Sequence, residues 1–134
     1  MLRTLVWGWL WLSMSILRVQ YYDGANIILT QQGIKTKIHL ACIKAPDVTQ
    51  PAGQRSRTAL KQMLDGQPFQ YRVIAKDRYG RLLAEVRVGQ LNVNRQMVLE
   101  GHATYYNPYS TDCEGFAAAE ALARSQHKGI WSSQ

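Results

Sequence analysis

The chain has 134 residues, 46% hydrophobic and 19% charged, which is enough for one domain with a real core and too apolar for a disordered segment. Sixteen Lys and Arg against nine Asp and Glu leave a formal charge of +7. That balance argues against a cationic partner and points to nucleic acid, another polyanion or an anionic membrane surface, unless the basic face is only solvated.

In chain order, Arg3 precedes the apolar run LVWGWLWL (Leu5 to Leu12), and Ser13-Met14-Ser15 follows. The apolar stretch ends at Leu17 and is short beside the roughly 20 residues of a membrane-spanning helix. Residues 1–15 read as a secretory signal peptide, or as a membrane-interface segment held by Trp7, Trp9 and Trp11, or as a mistaken start. Residues 16–134 form the domain. The first reading makes the protein secreted or extracytoplasmic; the second ties it to a membrane through residues 5–17.

The first strand is expected in ILRVQYY, before the turn Asp23-Gly24. There the aspartate accepts from nearby backbone N–H groups and the glycine lets the backbone reverse. Ile27-Ile28-Leu29 opens a second strand, and Gln31-Gln32-Gly33 is a turn. Ile34, Thr36, Ile38, Leu40 and Cys42 alternate with Lys35, Lys37 and His39, as in a half-buried strand. Ala45-Pro46-Asp47 breaks it. Gln54 to Leu64 reads as a helix. Phe69, Tyr71, Val73 and Ala75 alternate, the turn DRYG (Asp77 to Gly80) follows, and Leu82, Ala84, Val86 and Val88 alternate again. Val93 to Glu100 is a short helix with Asn92 as N-cap and Gly101 as C-cap. An aromatic loop, Tyr105 to Tyr109, leads to a helix from Glu114 to His127. This is a mainly β, α+β pattern. A five-stranded closed barrel with about three helices is its compact solution, because closure removes exposed edges.

Cys42 and Cys113 are two buried thiols or, in an oxidising compartment, a disulfide worth about 4 kcal/mol. No CxxC or CxxH spacing supports zinc. No Ser/His/Asp or Cys/His pattern marks a nucleophile. A phosphate site is better supported. Arg78 and Arg81 flank Tyr79 at a hairpin tip, where guanidinium forks bind phosphate oxygens and a ring stacks on a base or sugar. Tyr105, Tyr106 and Tyr109 add aromatic faces, or simply cover the barrel end.

From about Val19 to Ser132 the chain resembles the staphylococcal-nuclease-like (thermonuclease) family. DGANI (Asp23 to Ile27) stands against that family's Asp-Gly-Asp-Thr-Ile. KIHLACIKAPDV (Lys37 to Val48) stands against Arg-Leu…Ile-Asp-(Thr/Ala)-Pro-Glu. DRYGRLLAEV (Asp77 to Val86) is the best preserved, and NVNRQMVLEGHA (Asn92 to Ala103) and GIWS (Gly129 to Ser132) close the order. The resemblance implies an OB-fold barrel with three helices, a basic groove for single-stranded DNA or RNA, and calcium-assisted phosphodiester hydrolysis.

Position by position, Asp23 matches a first aspartate and is the remnant of the metal site. Ala25 and Lys44 replace the two metal-ligating aspartates, so no calcium cofactor is expected. His39 replaces the first phosphate-binding arginine, Asp47 the catalytic glutamate, and Arg81 and Tyr79 match. Catalytic candidates are Asp47, Arg81 and His39. Nucleic-acid-binding candidates are Lys35, Lys37, Lys44, Arg78, Tyr79, Arg81 and Tyr109. The expected function is polyanion binding with hydrolysis lost or very weak. The alternatives are a secreted nuclease with a rearranged site of Asp23, Asp47, Arg81 and His39, and a structural module or accessory subunit for a protein or membrane partner.

Overall fold

The computed structural model describes residues 17–132. The expected signal peptide or membrane segment therefore lies outside the described residues, apart from Leu17. Strand β1 (Arg18–Tyr21) pairs antiparallel with β2 (Asn26–Gln31), and β2 with β3 (Ile34–Leu40). Gln32 and Gly33 join β2 to β3 with φ of 52° and 79°. Two consecutive positive φ values make the tight turn whose twist suits a hairpin. This turn sets a register that pairs Gln31 with Ile34 and, further along, Asn26 with His39.

β3 stops at Leu40, short of the expected Cys42, because Cys42 takes φ 75° and turns the chain into β4 (Ile43–Lys44). Helix α1 (Pro51–Leu64) begins earlier than expected, with proline in its first turn, where a missing N–H costs nothing. β5 (Gln70–Lys76) and β6 (Leu82–Val88) form the expected hairpin, with an irregularity between Val73 and Ala75. β7 (Leu91–Asn92) folds back on β6. Helix α2 (Val93–Leu99) starts at Asn92, whose side chain accepts the Arg95 N–H at 3.1 Å. β8 (Thr104–Tyr105) pairs with β4. Helix α3 (Phe116–Ser125) is shorter than expected, since Gly115 before it is left-handed. A single 3₁₀ turn, Gly129–Trp131, follows.

The main sheet runs β1-β2-β3-β6-β5, with β3 and β6 parallel and every other neighbouring pair antiparallel. The fold is α+β, mainly sheet, with three α-helices and OB-like topology. Its ladder runs open: among the described residues β1 and β5 lie at opposite ends and do not pair. Tyr71 and Val73 face the same side as the buried Val86 and Ala84, yet both are exposed, because none of the described residues covers that edge. Ile27, Ile38, Leu40, Ala84 and Val86 meet Leu60 and Leu64 of α1 and Val93, Met97 and Val98 of α2 in one core.

One buried amide and one covalent cross-link fix how these pieces meet. Asn94 is buried in α2; its Nδ2 donates to the carbonyls of Ala41 and Ala84, each at 2.9 Å, and its Oδ1 accepts Val86 N–H at 3.0 Å. One side chain thus bonds backbone groups beside β3 and on β6, the Ala84 carbonyl accepting the Ala41 N–H as well, at 2.9 Å. Cys42 and Cys113 form a disulfide across 71 positions of sequence. Among the described residues no helix is long and apolar enough to cross a membrane.

Candidate functional site

The site lies where β2, β3 and β6 meet the loops after β4, β5 and β8. Its first component is the turn after β1. Asp23 Oδ1 accepts the Ala25 N–H at 2.7 Å, the expected aspartate turn. Gly24 has a different reason to be glycine. Its φ is not in the left-handed region; instead, an added Cβ would overlap Ser56 Oγ of α1 and lie 2.9 Å from Ser56 Cβ. Ser56 is itself buried and donates to the His102 carbonyl at 2.6 Å, so it has little room to give. The turn is pressed against the helix, and Ala25 is fully buried within it.

Asn26 connects this turn to the basic residues. Its Nδ2 donates to both oxygens of Asp23, at 3.0 and 3.1 Å. Its Oδ1 accepts from Arg81 Nη1 at 3.2 Å and lies 2.9 Å from His39 Nδ1. An amide oxygen only accepts, so His39 carries its proton on Nδ1. Burial, and then the Arg81 guanidinium, hold His39 below its ordinary 6.5, against the opposing pull of Asp23, the Ile43 carbonyl and Asp77. His39 is therefore neutral at pH 7.

Arg81 is aimed from the other side. Asp77 is buried; its Oδ1 accepts the N–H groups of Tyr79 and Arg81, each at 2.9 Å, and its Oδ2 accepts Arg81 Nε at 2.6 Å. Burial pushes Asp77 upward, but the hydrogen bonds from Arg81 and Tyr79 outweigh it and leave the carboxyl below its ordinary 3.8. The hairpin tip is thus wound around one carboxylate, which leaves the outer guanidinium nitrogens of Arg81 toward the site.

These groups border an open pocket of about 570 Å³. It gathers Asp23, His39, Lys44, Arg78, Tyr79, Arg81 and Tyr109 from the expected set, and adds Asn26, Tyr106 and Pro108. Lys44 Nζ stands 5.5 Å from the Tyr106 ring centroid, and Arg78 lies over the Tyr79 ring at 5.7 Å. Tyr79, Tyr106 and Tyr109 are exposed at the rim.

Three expected residues stand elsewhere. Lys37 borders a neighbouring hollow that shares Asn26 and Arg81. Lys35 lies further along β3, exposed. Asp47 is outside the pocket; its Oδ1 accepts the N–H and hydroxyl of Thr49, each at 2.8 Å, ahead of α1. Those bonds, the backbone one first, hold its carboxyl below the ordinary 3.8. Among the described residues, no three His, Cys, Asp or Glu side chains converge as a metal site requires.

Asn26 is the residue that sequence reasoning passed over. Its signal was the register: a two-residue turn at 32–33 places Asn26 directly across from His39.

Comparison with known proteins adds an independent line. Residues 37–133 match the family described as Staphylococcal nuclease homologue. The chain is 33% identical to an uncharacterized endonuclease of Escherichia coli O157:H7 over 115 residues, covering 85% of this chain and 74% of that one. It is 29% identical to a thermonuclease of Staphylococcus hyicus over 125 residues, 86% of this chain and 74% of that one. It is also 33% identical over 99 residues to a probable staphylococcal-like nuclease of rice, CAN2; there it spans 74% of its own length and only 27% of the relative's.

Proposed function

The chain belongs to the staphylococcal nuclease homologue family, and from that premise we propose that its pocket binds single-stranded nucleic acid or a similar polyanion, with calcium-dependent phosphodiester hydrolysis lost or very weak. The observation that carries the second half is the condition of Asp23. Both of its oxygens are taken by Asn26. Where the family resemblance expects two more carboxylates, the chain has the buried Ala25 and the cation Lys44. Calcium needs six to eight oxygen ligands, several of them anionic, and this donor set does not fit it. Without the ion, no group here generates a metal-activated water, which supplies the nucleophile in such chemistry.

Binding does not need the metal. Arg81, Arg78 and Lys44 supply phosphate contacts, and the exposed rims of Tyr79, Tyr106 and Tyr109 supply stacking faces. The disulfide is at home in an oxidising compartment, which supports an extracytoplasmic location. A second reading has one observation behind it. Neutral His39 shares the pocket with Arg81, so a metal-free nuclease would use His39 as its base.

One experiment separates these readings: cleavage of denatured DNA with and without calcium, beside anisotropy of a labelled oligonucleotide on the same sample. The proposal expects salt-sensitive binding, weakened by Arg81→Ala with a shallower salt dependence, and no calcium-stimulated cleavage. Calcium-dependent turnover defeats it. Calcium-independent turnover abolished by His39→Ala establishes the second reading. Absence of binding leaves the structural or protein-interaction role.

A further inference from the structure

Cys42 is where both ends of one loop meet. Its carbonyl accepts the Tyr106 N–H at 2.9 Å, and its sulfur is bonded to Cys113. The chain leaves Cys42 at Tyr106 and comes back to it at Cys113. Between them the loop closes on Asn107, whose Nδ2 donates to the Thr111 carbonyl at 2.8 Å and whose Oδ1 accepts Thr111 N–H at 3.0 Å. Tyr106, Pro108 and Tyr109 project from this loop into the pocket.

The two ends are anchored differently. The outgoing end is held by backbone pairing, Ile43 with Tyr105 and Lys44 with Thr104. The returning end is tied to Cys42 by the covalent bond. Cys42 is 6% exposed and held at φ 75°, a backbone state unfavourable for any residue with a Cβ.

We propose that the Cys42–Cys113 disulfide is a positioning element for the polyanion site: it holds Tyr109 as a stacking wall, so affinity for single-stranded nucleic acid depends on its redox state. The inference rests on the binding reading given above. Reduction by a dithiol breaks the S–S bond. Two electrons and two protons pass to the sulfurs, leaving two thiols, and the dithiol closes to its own disulfide. Tyr106 then keeps its backbone anchor and Asn107 keeps its two bonds to Thr111, but the closed 107–111 turn loses its covalent tie to Cys42, and Tyr109 within that turn is released from the pocket wall. Lys44, Arg78 and Arg81 stay in place, so the loss falls on stacking and spares phosphate contact.

The test is anisotropy of labelled oligothymidylate on the full chain, with and without dithiothreitol. Wild type, Cys113→Ser, Tyr109→Ala and the double variant are compared, with circular dichroism confirming that each is folded. Reduced wild type and Cys113→Ser should bind about five- to a hundredfold more weakly than oxidised wild type. Tyr109→Ala should lose a similar factor, the double variant no more than either single, and the salt dependence should be unchanged. A disulfide that only stabilises the fold lowers the melting temperature and leaves affinity below it equal in both redox states. That result, or additive losses in the double variant, overturns the proposal. Absence of binding in oxidised wild type overturns the binding reading and this one together.

Discussion

Asn26 bridges both oxygens of the Asp23 carboxylate, with its Nδ2 at 3.0 Å from Oδ1 and 3.1 Å from Oδ2. An acid that would face a cation in a metal turn is satisfied here by a neutral amide. The same amide then turns its oxygen to His39 and Arg81. Ala25, Asn26 and Lys44 stand where the family resemblance expects Asp, Thr and Asp, and restoring those three residues is the sharpest test of the proposed loss of calcium binding. The triple variant Ala25→Asp/Asn26→Thr/Lys44→Asp should be less stable than wild type in EDTA, because added carboxylates at a buried turn repel. Calcium at about ten times its dissociation constant should raise the triple variant's melting temperature by roughly 3–5 °C and leave wild type unmoved. A calcium shift in wild type contradicts this.

Gly24→Ala tests the contact between the turn and α1. The new methyl meets Ser56, which is held by its bond to the His102 carbonyl. Overpacking of this kind costs about 1–3 kcal/mol. Ser56→Ala in the same chain should recover part of the loss, since it removes the oxygen that collides. Urea denaturation of the four combinations gives the coupling; strict additivity would show that the two sites do not touch.

Asn94→Ala removes one donor pair and one acceptor that serve Ala41, Ala84 and Val86. The Ala84 carbonyl keeps the Ala41 N–H, but the loss of Asn94 from the Ala41 carbonyl and the Val86 N–H, with the cavity it leaves, should cost about 2–4 kcal/mol in chemical denaturation. Asn94→Asp should be at least as damaging, because its carboxylate offers no donor to the two carbonyls. A loss below about 1 kcal/mol for either would mean that the sheet closes these gaps in another way.

Acid should weaken the fold through two histidines. Burial, followed by Arg81, depresses His39; burial also depresses His102, with Glu100 opposing and Arg55 assisting. A folded value below the unfolded 6.5 means that the unfolded chain binds the proton more readily. Stability is therefore full above about pH 7.5 and declines as pH falls through 6.5 toward the depressed folded values. Thermal melts from pH 8 to 5.5 should show this decline, and His39→Gln and His102→Gln should each flatten part of it. A melting temperature that rises on acidification would reverse the assigned sign.

Much of the architecture was written locally. The alternation in β3, β5 and β6, the Asn92 cap, the DRYG hairpin tip and the motif order each depend on residues within a few positions of one another, where pattern and turn chemistry decide. The pairing of Asn26 with His39 was also determined in the sequence, through the Gln32-Gly33 turn. Tertiary structure decided matters that hang on which distant segments meet. Gly24 is needed because Ser56 lies over it. Asn94 matters because β6 and the end of β3 open toward α2. Cys42 and Cys113 are bonded because the loop after β8 returns to the end of β3. Asp47 stands apart because Thr49 bonds its carboxylate beside α1, while Asp23 is filled by Asn26. Side-chain direction and hydrogen-bond saturation are set by packing across the whole chain, and no short stretch of sequence contains them.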